Sequence, residues 1–559
     1  MKNLYWLFLF ILLFIGCAPD KEYDIIIRNG TIYDGSGTGS FKGDLAINGD
    51  TIAAMGNLKH VHGKMLIDAA NMALAPGFIN MLSWADKSLI EDGRSQSDIR
   101  QGVTLEVMGE GWSNGPFNDA MKTEDIKNQG DIKYDIEWNT LGEYLNFLEK
   151  RGVSTNIASF VGATTLRINV IGYENRSPSE DELKSMKKLA KQAMEEGAIG
   201  ISSALIYAPA SFSKTHELIE LCKEVSALNG MYISHIRSEG NKLLESLDEL
   251  IEISKEANIK AEIYHLKAAG TENWHKMDLA ISKIDSARNT GLDITADMYT
   301  YIAGGTGLYA TMPQWVQEGG HDAWVARLKN PVIKARVIKE MMAPGMDWEN
   351  FFYMVGSPKN IILGVFKTDS LKYLTGKTVA EVAESGKLSP AEAIIDLVIK
   401  DNSPVQSIFF LMTEENIRKQ IALPWVSFGS DEQSLSTEGV FLKSNPHPRA
   451  YGNFSRLLGK YVRDEKVISL EEAIRKLTFL PASNMKIQKR GLLKKGYYAD
   501  IVVFDPQTIS DHATFSNPHQ YSTGVSEVFV NGKQVLKNGQ HTGVKSGRVV
   551  RGPGYKGTN

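Results

Sequence analysis

Tyr232-Ile-Ser-His235-Ile-Arg237-Ser-Glu239 and, one helical stretch later, Ala261-Glu-Ile-Tyr-His265-Leu-Lys267 carry the fold of this chain. Each is a short β-like run that ends in a histidine. Between them residues 244–257 read as a charged amphipathic helix, and the same alternation precedes them, with 179–196 helical and Ile199-Gly-Ile-Ser-Ser203 strand-like. Strand, helix, strand at that spacing implies βαβ units and a parallel sheet. A third run, Val426-Ser-Phe-Gly-Ser-Asp431, ends in a carboxylate. In a closed (β/α)8 barrel, the TIM barrel, the C-terminal strand ends converge on one face, so His235, His265 and Asp431 are predicted to meet there. Imidazole nitrogen and carboxylate oxygen are natural ligands for zinc or a similar divalent ion. Taken singly, each histidine reads better as a packed core residue. Three such groups at strand ends read as a site.

Outward from this centre the texture changes at both ends. Tyr23-Asp-Ile-Ile-Ile-Arg-Asn-Gly-Thr-Ile-Tyr-Asp-Gly35 and Asp44-Leu-Ala-Ile-Asn-Gly-Asp50 are β-rich runs with Asn-Gly and Asp-Gly turns. Similar runs return only near the far end, in Ala499-Asp-Ile-Val-Val-Phe-Asp505 and Val528-Phe-Val-Asn-Gly-Lys-Gln-Val535. The expected architecture is therefore α/β: a TIM (β/α)8 barrel over 77–480, inserted into a small β-sandwich formed by 22–76 with 481–554. The block 308–423 exceeds one βα unit and is expected to hold a helical insertion.

The 559 residues carry a net charge of −4, with 43% hydrophobic and 23% charged residues. That is the composition of a folded globular protein with a sizeable core, and it offers no electrostatic footprint for nucleic acid. A small-molecule substrate is the expected partner. Residues 1–17 begin with one lysine, continue through an apolar stretch and end Phe14-Ile15-Gly16-Cys17. This reads as a signal peptide of lipoprotein type, with a lipid anchor at Cys17 and export to the cell envelope, periplasmic or outer-membrane, of a bacterium. Removal of 1–16 leaves Cys222 as the only other cysteine, so no disulfide framework is expected.

With these residues in view, the sequence resembles the D-aminoacylase (N-acyl-D-amino-acid deacylase) branch of the metal-dependent amidohydrolase superfamily. The markers run in order through the chain: Ala75-Pro-Gly-Phe-Ile79, Gln101-Gly-Val-Thr104, Gly200-Ile-Ser-Ser203, the His235 and His265-Leu-Lys267 segments, Asp297-Met-Tyr-Thr-Tyr301, Gly429-Ser-Asp431, His447-Pro-Arg449-Ala-Tyr451-Gly and Ala499–505. The resemblance implies that His235 and His265 are metal ligands. It makes Asp431 the general acid/base that also touches the metal, Tyr299 a donor to the oxyanion, and Lys267 the cation for a substrate carboxylate. Arg237, Arg449 and Arg456 are further candidates for that carboxylate.

The departures are informative. The family places a His-x-His pair after the first barrel strand, where this chain has Leu82 and Trp84, neither able to bind zinc. A family cysteine in a Gly-Asn-Cys-Gly turn is replaced within Val107-Met-Gly-Glu110-Gly-Trp112, in which Glu110 offers an oxygen ligand. Glu110, His235 and His265, with Asp431 nearby, would make a complete single-ion site, similar in kind to that of the N-acetylglucosamine-6-phosphate deacetylases. The alternative for Glu110 is a turn carboxylate paired with Arg94 or Arg100. Three readings follow: a hydrolase of N-acyl-D-amino acids or D-residue-containing dipeptides, a lactam or cyclic-amide hydrolase of the same superfamily, and a non-catalytic binding protein on this scaffold.

Overall fold

The computed structural model describes residues 22–345 and 347–557; the signal-like segment and Cys17 lie outside the described residues. The chain has an α/β fold. The strand Met231–His235 lies parallel to Gly200–Ala204 on one side and to Ala261–Ile263 on the other. Six parallel strands run in the order Val426–Phe428, Ile294–Met298, Ala261–Ile263, Met231–His235, Gly200–Ala204, Val161–Gly162. Three more parallel strands, Phe78–Asn80, Val103–Met108 and Asn156–Ser159, form a second sheet. Backbone hydrogen bonds continue across both seams. Ile199 N donates to Ser159 O at 3.0 Å, Met81 N to Phe428 O at 3.1 Å, and Asp431 N to Leu82 O at 2.9 Å.

Alternation decides which side chains face inward. Met231 and Ile233 pack with Leu105, Val107, Ala158 and Tyr264 in one cluster, whereas Tyr232 packs with the helices in another. His235 shares the parity of Ile233 and continues the inner row. The helices lie outside. Leu243–Glu256 buries Leu243, Leu247, Leu250 and Ile253, the spacing of a single apolar stripe. Glu180–Glu195 starts from a capping box in which Ser179 and Glu182 satisfy each other's free backbone N–H groups.

Both ends of the chain enter one nine-stranded sheet. Ala73–Pro76 joins them: it pairs with Glu22–Ile32 on one side and antiparallel with Ile501–Phe504 on the other. Ile27, Leu45, Ile47 and Leu74 pack there against Ile501, Val503 and Phe529. The long connection between the adjacent strands Ile294–Met298 and Val426–Phe428 contains helices, among them Pro331–Met341 and Pro390–Asp401. It also contains strands, which the sequence reading did not anticipate: Ala303–Gly307, Ile361–Val365 and Gln406–Phe410 form an antiparallel sheet over a separate apolar cluster. Their short lengths and glycines hide the period-two signal.

Candidate active site

Glu110, His235 and His265 come together: one potential ligand atom from each lies within 4.8 Å of the others, and all three residues are buried. The chain arrives at each by a different device. Glu110 stands between Gly109 and Gly111, both at positive φ, in a turn after Val103–Met108. A Cβ at Gly109 would lie 2.4 Å from the Phe160 carbonyl oxygen, so only glycine fits that turn. His235 ends its strand in register with Ala204. His265 lies two residues beyond Ile263 with φ 34°, and its N–H donates to Asp297 Oδ1 at 2.8 Å. That left-handed residue breaks the strand alternation and lets the ring meet Glu110. Asp431 is also left-handed, at φ 51°. Such strain in non-glycine residues is retained where the surroundings enforce it, commonly at functional sites.

Glu110 Oε1 is 3.1 Å from His235 Nδ1 and 2.9 Å from His265 Nε2. Ligand atoms around a tetrahedral zinc, each roughly 2.0–2.1 Å from the ion, stand about 3.3 Å apart, close to this spacing. The donor set, two imidazoles and a carboxylate at 3–4% exposure, therefore fits a divalent ion. Arg94 and Arg100 do not pair with Glu110: Arg94 pairs with Asp92 and Glu438, and Arg100 binds Gln96 and the Gly539 carbonyl. Burial opposes charge on His265, as does Lys267, but Glu110 and Glu239 outweigh them and push it up to about 10. Burial would raise the Glu110 carboxyl, but His265 and His235 hold it well below the usual carboxylate range.

Around this trio stand the other expected residues. Asp431 is 9% exposed and Arg449 2%, and Arg449 Nη2 is 2.9 Å from Asp431 Oδ2. Burial raises the Asp431 carboxyl and Arg449 restrains the rise. The Arg449 guanidinium lies 4.3 Å from the centre of the Tyr299 ring, and its Nε and Nη1 are buried without a hydrogen-bond partner. Lys267 is already engaged, 2.6 Å from Glu239 Oε1 and 2.7 Å from His265 Nδ1.

Two of the arginine expectations are corrected. Arg237 spends its guanidinium on Glu249, at 2.8 Å, and on the carbonyls of Ser211 and Ser213. Arg456 binds Asp511 at 3.2 Å and the Thr300 carbonyl at 3.0 Å. Both guanidiniums are engaged by neighbouring carboxylates and carbonyls rather than held ready for a substrate. Two acids were missed. Glu239 is buried with its oxygens 3.1 Å from His265 Nδ1 and 3.7 Å from His235 Nε2. Asp297 fixes the His265 backbone. The signal for Glu239 was its place four residues after a strand-end histidine, where a buried acid needs a cation.

Beside the trio lies a cavity of about 420 Å³, lined by Trp84, Trp112, Phe117, Tyr144, Tyr207 and Tyr309. Tyr207 packs against His235, with ring centres 5.2 Å apart.

Comparison with known proteins finds relatives along nearly the whole chain. Residues 423–536 match the model of the Amidohydrolase family. D-aminoacylase of Alcaligenes xylosoxydans xylosoxydans is 31% identical over 536 residues, 95% of this chain and 98% of that protein. N-acyl-D-aspartate deacylase of the same organism is 30% identical, with 96% of each chain covered. Among solved structures, one of D-aminoacylase describes a binuclear centre with one-metal activation and second-metal attenuation; it superposes with a TM-score of 0.80 at 29% identity, covering 95% of this chain and all of that one. N-acyl-D-glutamate deacylase from Bordetella bronchiseptica, solved with zinc and a phosphonate mimic of the tetrahedral intermediate, gives a TM-score of 0.79 at 26% identity, with 95% and 100% covered. The chain therefore belongs to the D-aminoacylase family of amidohydrolases.

Proposed function

We propose that this protein hydrolyses the amide bond of N-acyl-D-amino acids, or of dipeptides containing a D-residue, with one divalent ion, zinc or similar, held by Glu110, His235 and His265. The observation that carries the reading is the meeting of this trio with the Asp431–Arg449 pair in one buried site. When bound, the ion supplies Lewis-acid polarisation of the amide carbonyl and activation of water.

The side chains supply the rest. Asp431, left with one oxygen on Arg449, takes the proton of the attacking water and returns it to the leaving amine, so one carboxylate serves as general base and then general acid. Tyr299 donates to the developing oxyanion. Arg449 receives the substrate α-carboxylate through an unpartnered N–H, on Nη1 or on Nε, which point to opposite edges of the guanidinium, while Nη2 stays on Asp431. This moves the main carboxylate contact from Lys267 to Arg449, because Lys267 is committed to Glu239. Lys267 and Glu239 then orient His265. The unpartnered guanidinium nitrogens favour the deacylase over a lactam or cyclic-amide hydrolase, whose substrates need no such partner.

The same proposal includes the architecture. The parallel strands and their two hydrogen-bonded seams support a closed (β/α)8 barrel over 77–480, with an insertion at about 308–423, carried by a β-sandwich of 22–76 and 481–554. For location we propose an exported lipoprotein anchored at Cys17, on the strength of the N-terminal sequence alone. The function is tested by amine release from N-acetyl-D-leucine and its L-enantiomer by the zinc-loaded protein. Turnover of the D-form alone is expected; no turnover of any N-acyl amino acid would refute the reading.

A further inference from the structure

Trp84 stands at the junction of the two carboxylates that the chemistry uses. Its indole N–H donates to Glu110 Oε2 at 3.1 Å and to Asp431 Oδ1 at 3.1 Å. The backbone places it there: Trp84 N donates to Glu432 O at 2.9 Å, next to Asp431, and the residue opens the helix Ala85–Glu91. The two oxygens of Glu110 are thereby divided. Oε1 faces the imidazoles of His235 and His265, and Oε2 is taken by the indole. Asp431 is divided in the same way, with Oδ1 on Trp84 and Oδ2 on Arg449.

We propose that the Trp84 indole N–H is a positioning group that does the electrostatic work of a second cation, and that it makes the site mononuclear by construction. Two buried carboxylates that approach one another need positive charge between them. An ion could bridge Glu110 Oε2 and Asp431 Oδ1; here one polarised N–H is aimed at both. Indole nitrogen is a donor only and has no lone pair to offer a metal. Leu82, buried beside it on the same segment, adds no ligand either. Trp84 therefore fills the gap with a partial positive charge that cannot be exchanged for a free ion. It also holds Glu110 to one oxygen at the histidines and keeps the Asp431 carboxylate turned in a fixed plane, as hydrogen bonds to ligating carboxylates do at metal sites.

This inference rests on the single-ion hydrolase reading, and the experiment separates the two. Bound zinc is counted by equilibrium dialysis across a zinc titration for wild type, Trp84→Phe and Trp84→His, and kcat and KM are measured for each after loading. The wild type is expected to stop at one ion per chain. Trp84→His is expected to take a second, because imidazole brings a lone pair to a gap already flanked by two carboxylate oxygens. Trp84→Phe is expected to stay at one ion and lose about ten- to a hundredfold in kcat, the range for a hydrogen bond to a charged group, with KM changed much less. A role confined to packing would leave the ion count of Trp84→His at one. Trp84→Phe with unchanged kcat would overturn the inference alone; two ions in the wild type would overturn the inference together with the single-ion count, while amide hydrolysis itself would still be judged by turnover. No ion at all in the wild type would take down both. If one variant fails to fold, the other still tests the role of the indole N–H, and two ions in the wild type would still overturn it.

Discussion

Arg449 and Asp431 form a buried ion pair, Nη2 to Oδ2 at 2.9 Å, that leaves one edge of each group for other work. Asp431 turns its second oxygen toward Glu110 and Trp84, and Arg449 keeps two N–H donors unpartnered. A pair that existed only for stability would satisfy both partners, since unmet buried donors are costly. In the proposed function the chemistry and the recognition of an anionic substrate share this one interaction. Asp431→Asn is expected to keep the ion, which we propose Glu110, His235 and His265 hold, and to lose at least about 100-fold in kcat because an amide cannot accept the water proton. Metal content and turnover measured on the same sample check this. Equal activity in the variant would move the base elsewhere.

The carboxylate clamp is tested with an N-acetyl-D-amino acid and its carboxamide. The wild type should prefer the acid by roughly 10- to 100-fold in kcat/KM, the effect of a charge-assisted hydrogen bond. Arg449→Met should flatten that preference, and Lys267→Met should weaken it less. Arg237→Met should leave the ratio unchanged, because that guanidinium already serves Glu249. Equal rates on acid and carboxamide by the wild type would favour a lactam or cyclic-amide substrate.

The acidity of His265 sets a pH dependence for metal uptake. Raised to about 10 without the ion, its ring is protonated at neutral pH and must lose that proton to serve as a ligand. Zinc binding at pH 8 should therefore release about one proton from His265, seen in weakly buffered solution with an indicator dye, and affinity should rise with pH. For the metal-free protein the sign is opposite. The folded pKa lies above the ordinary histidine value of 6.5, so the imidazolium pairing with Glu110 and Glu239 stabilises fully below about 6.5, and that contribution fades as pH rises toward about 10. Zinc uptake without proton release would contradict the protonated resting state.

The cavity beside the trio predicts side-chain preference. Its walls combine aromatic and neutral polar side chains, and its charged residues are Asp86, Glu124 and Asp125 with one lysine, Lys87, which is paired with Asp125 at 2.8 Å. A second carboxylate on the substrate finds no spare cation there. N-acetyl-D-leucine and N-acetyl-D-phenylalanine are expected to exceed N-acetyl-D-aspartate and N-acetyl-D-glutamate by at least about tenfold in kcat/KM, given the cost of an unpaired buried charge. Faster turnover of the acidic substrates would place a different wall around the side chain.

Much of this site was legible in the sequence, because histidines at the ends of successive β-like runs carry their own geometry. His235, His265 and Asp431 needed only the rule that parallel strand ends converge. Glu110 was readable as a candidate ligand from its chemistry, although the two glycines that present it gain their meaning only from what packs against the turn, the Phe160 carbonyl at Gly109 and Ala204 at Gly111. Arg237 was misread because its partner Glu249 sits on a neighbouring helix, and no local pattern says which carboxylate will claim an arginine. Trp84 was read as a lost ligand. That its N–H falls between two carboxylates depends on the pairing that brings residue 84 beside residue 432, a contact across more than half of the chain.

The central claim is that one ion on Glu110, His235 and His265 makes this protein a D-specific deacylase. The most direct test strips the metal with a chelator, then returns zinc in fractions of an equivalent while amine release from N-acetyl-D-leucine and N-acetyl-L-leucine is followed. Activity on the D-form should be absent without metal, rise in proportion to the first equivalent and then level off, with the L-form inert throughout. Activity that survives complete removal of metal, or that needs a second equivalent before it appears, would contradict the account.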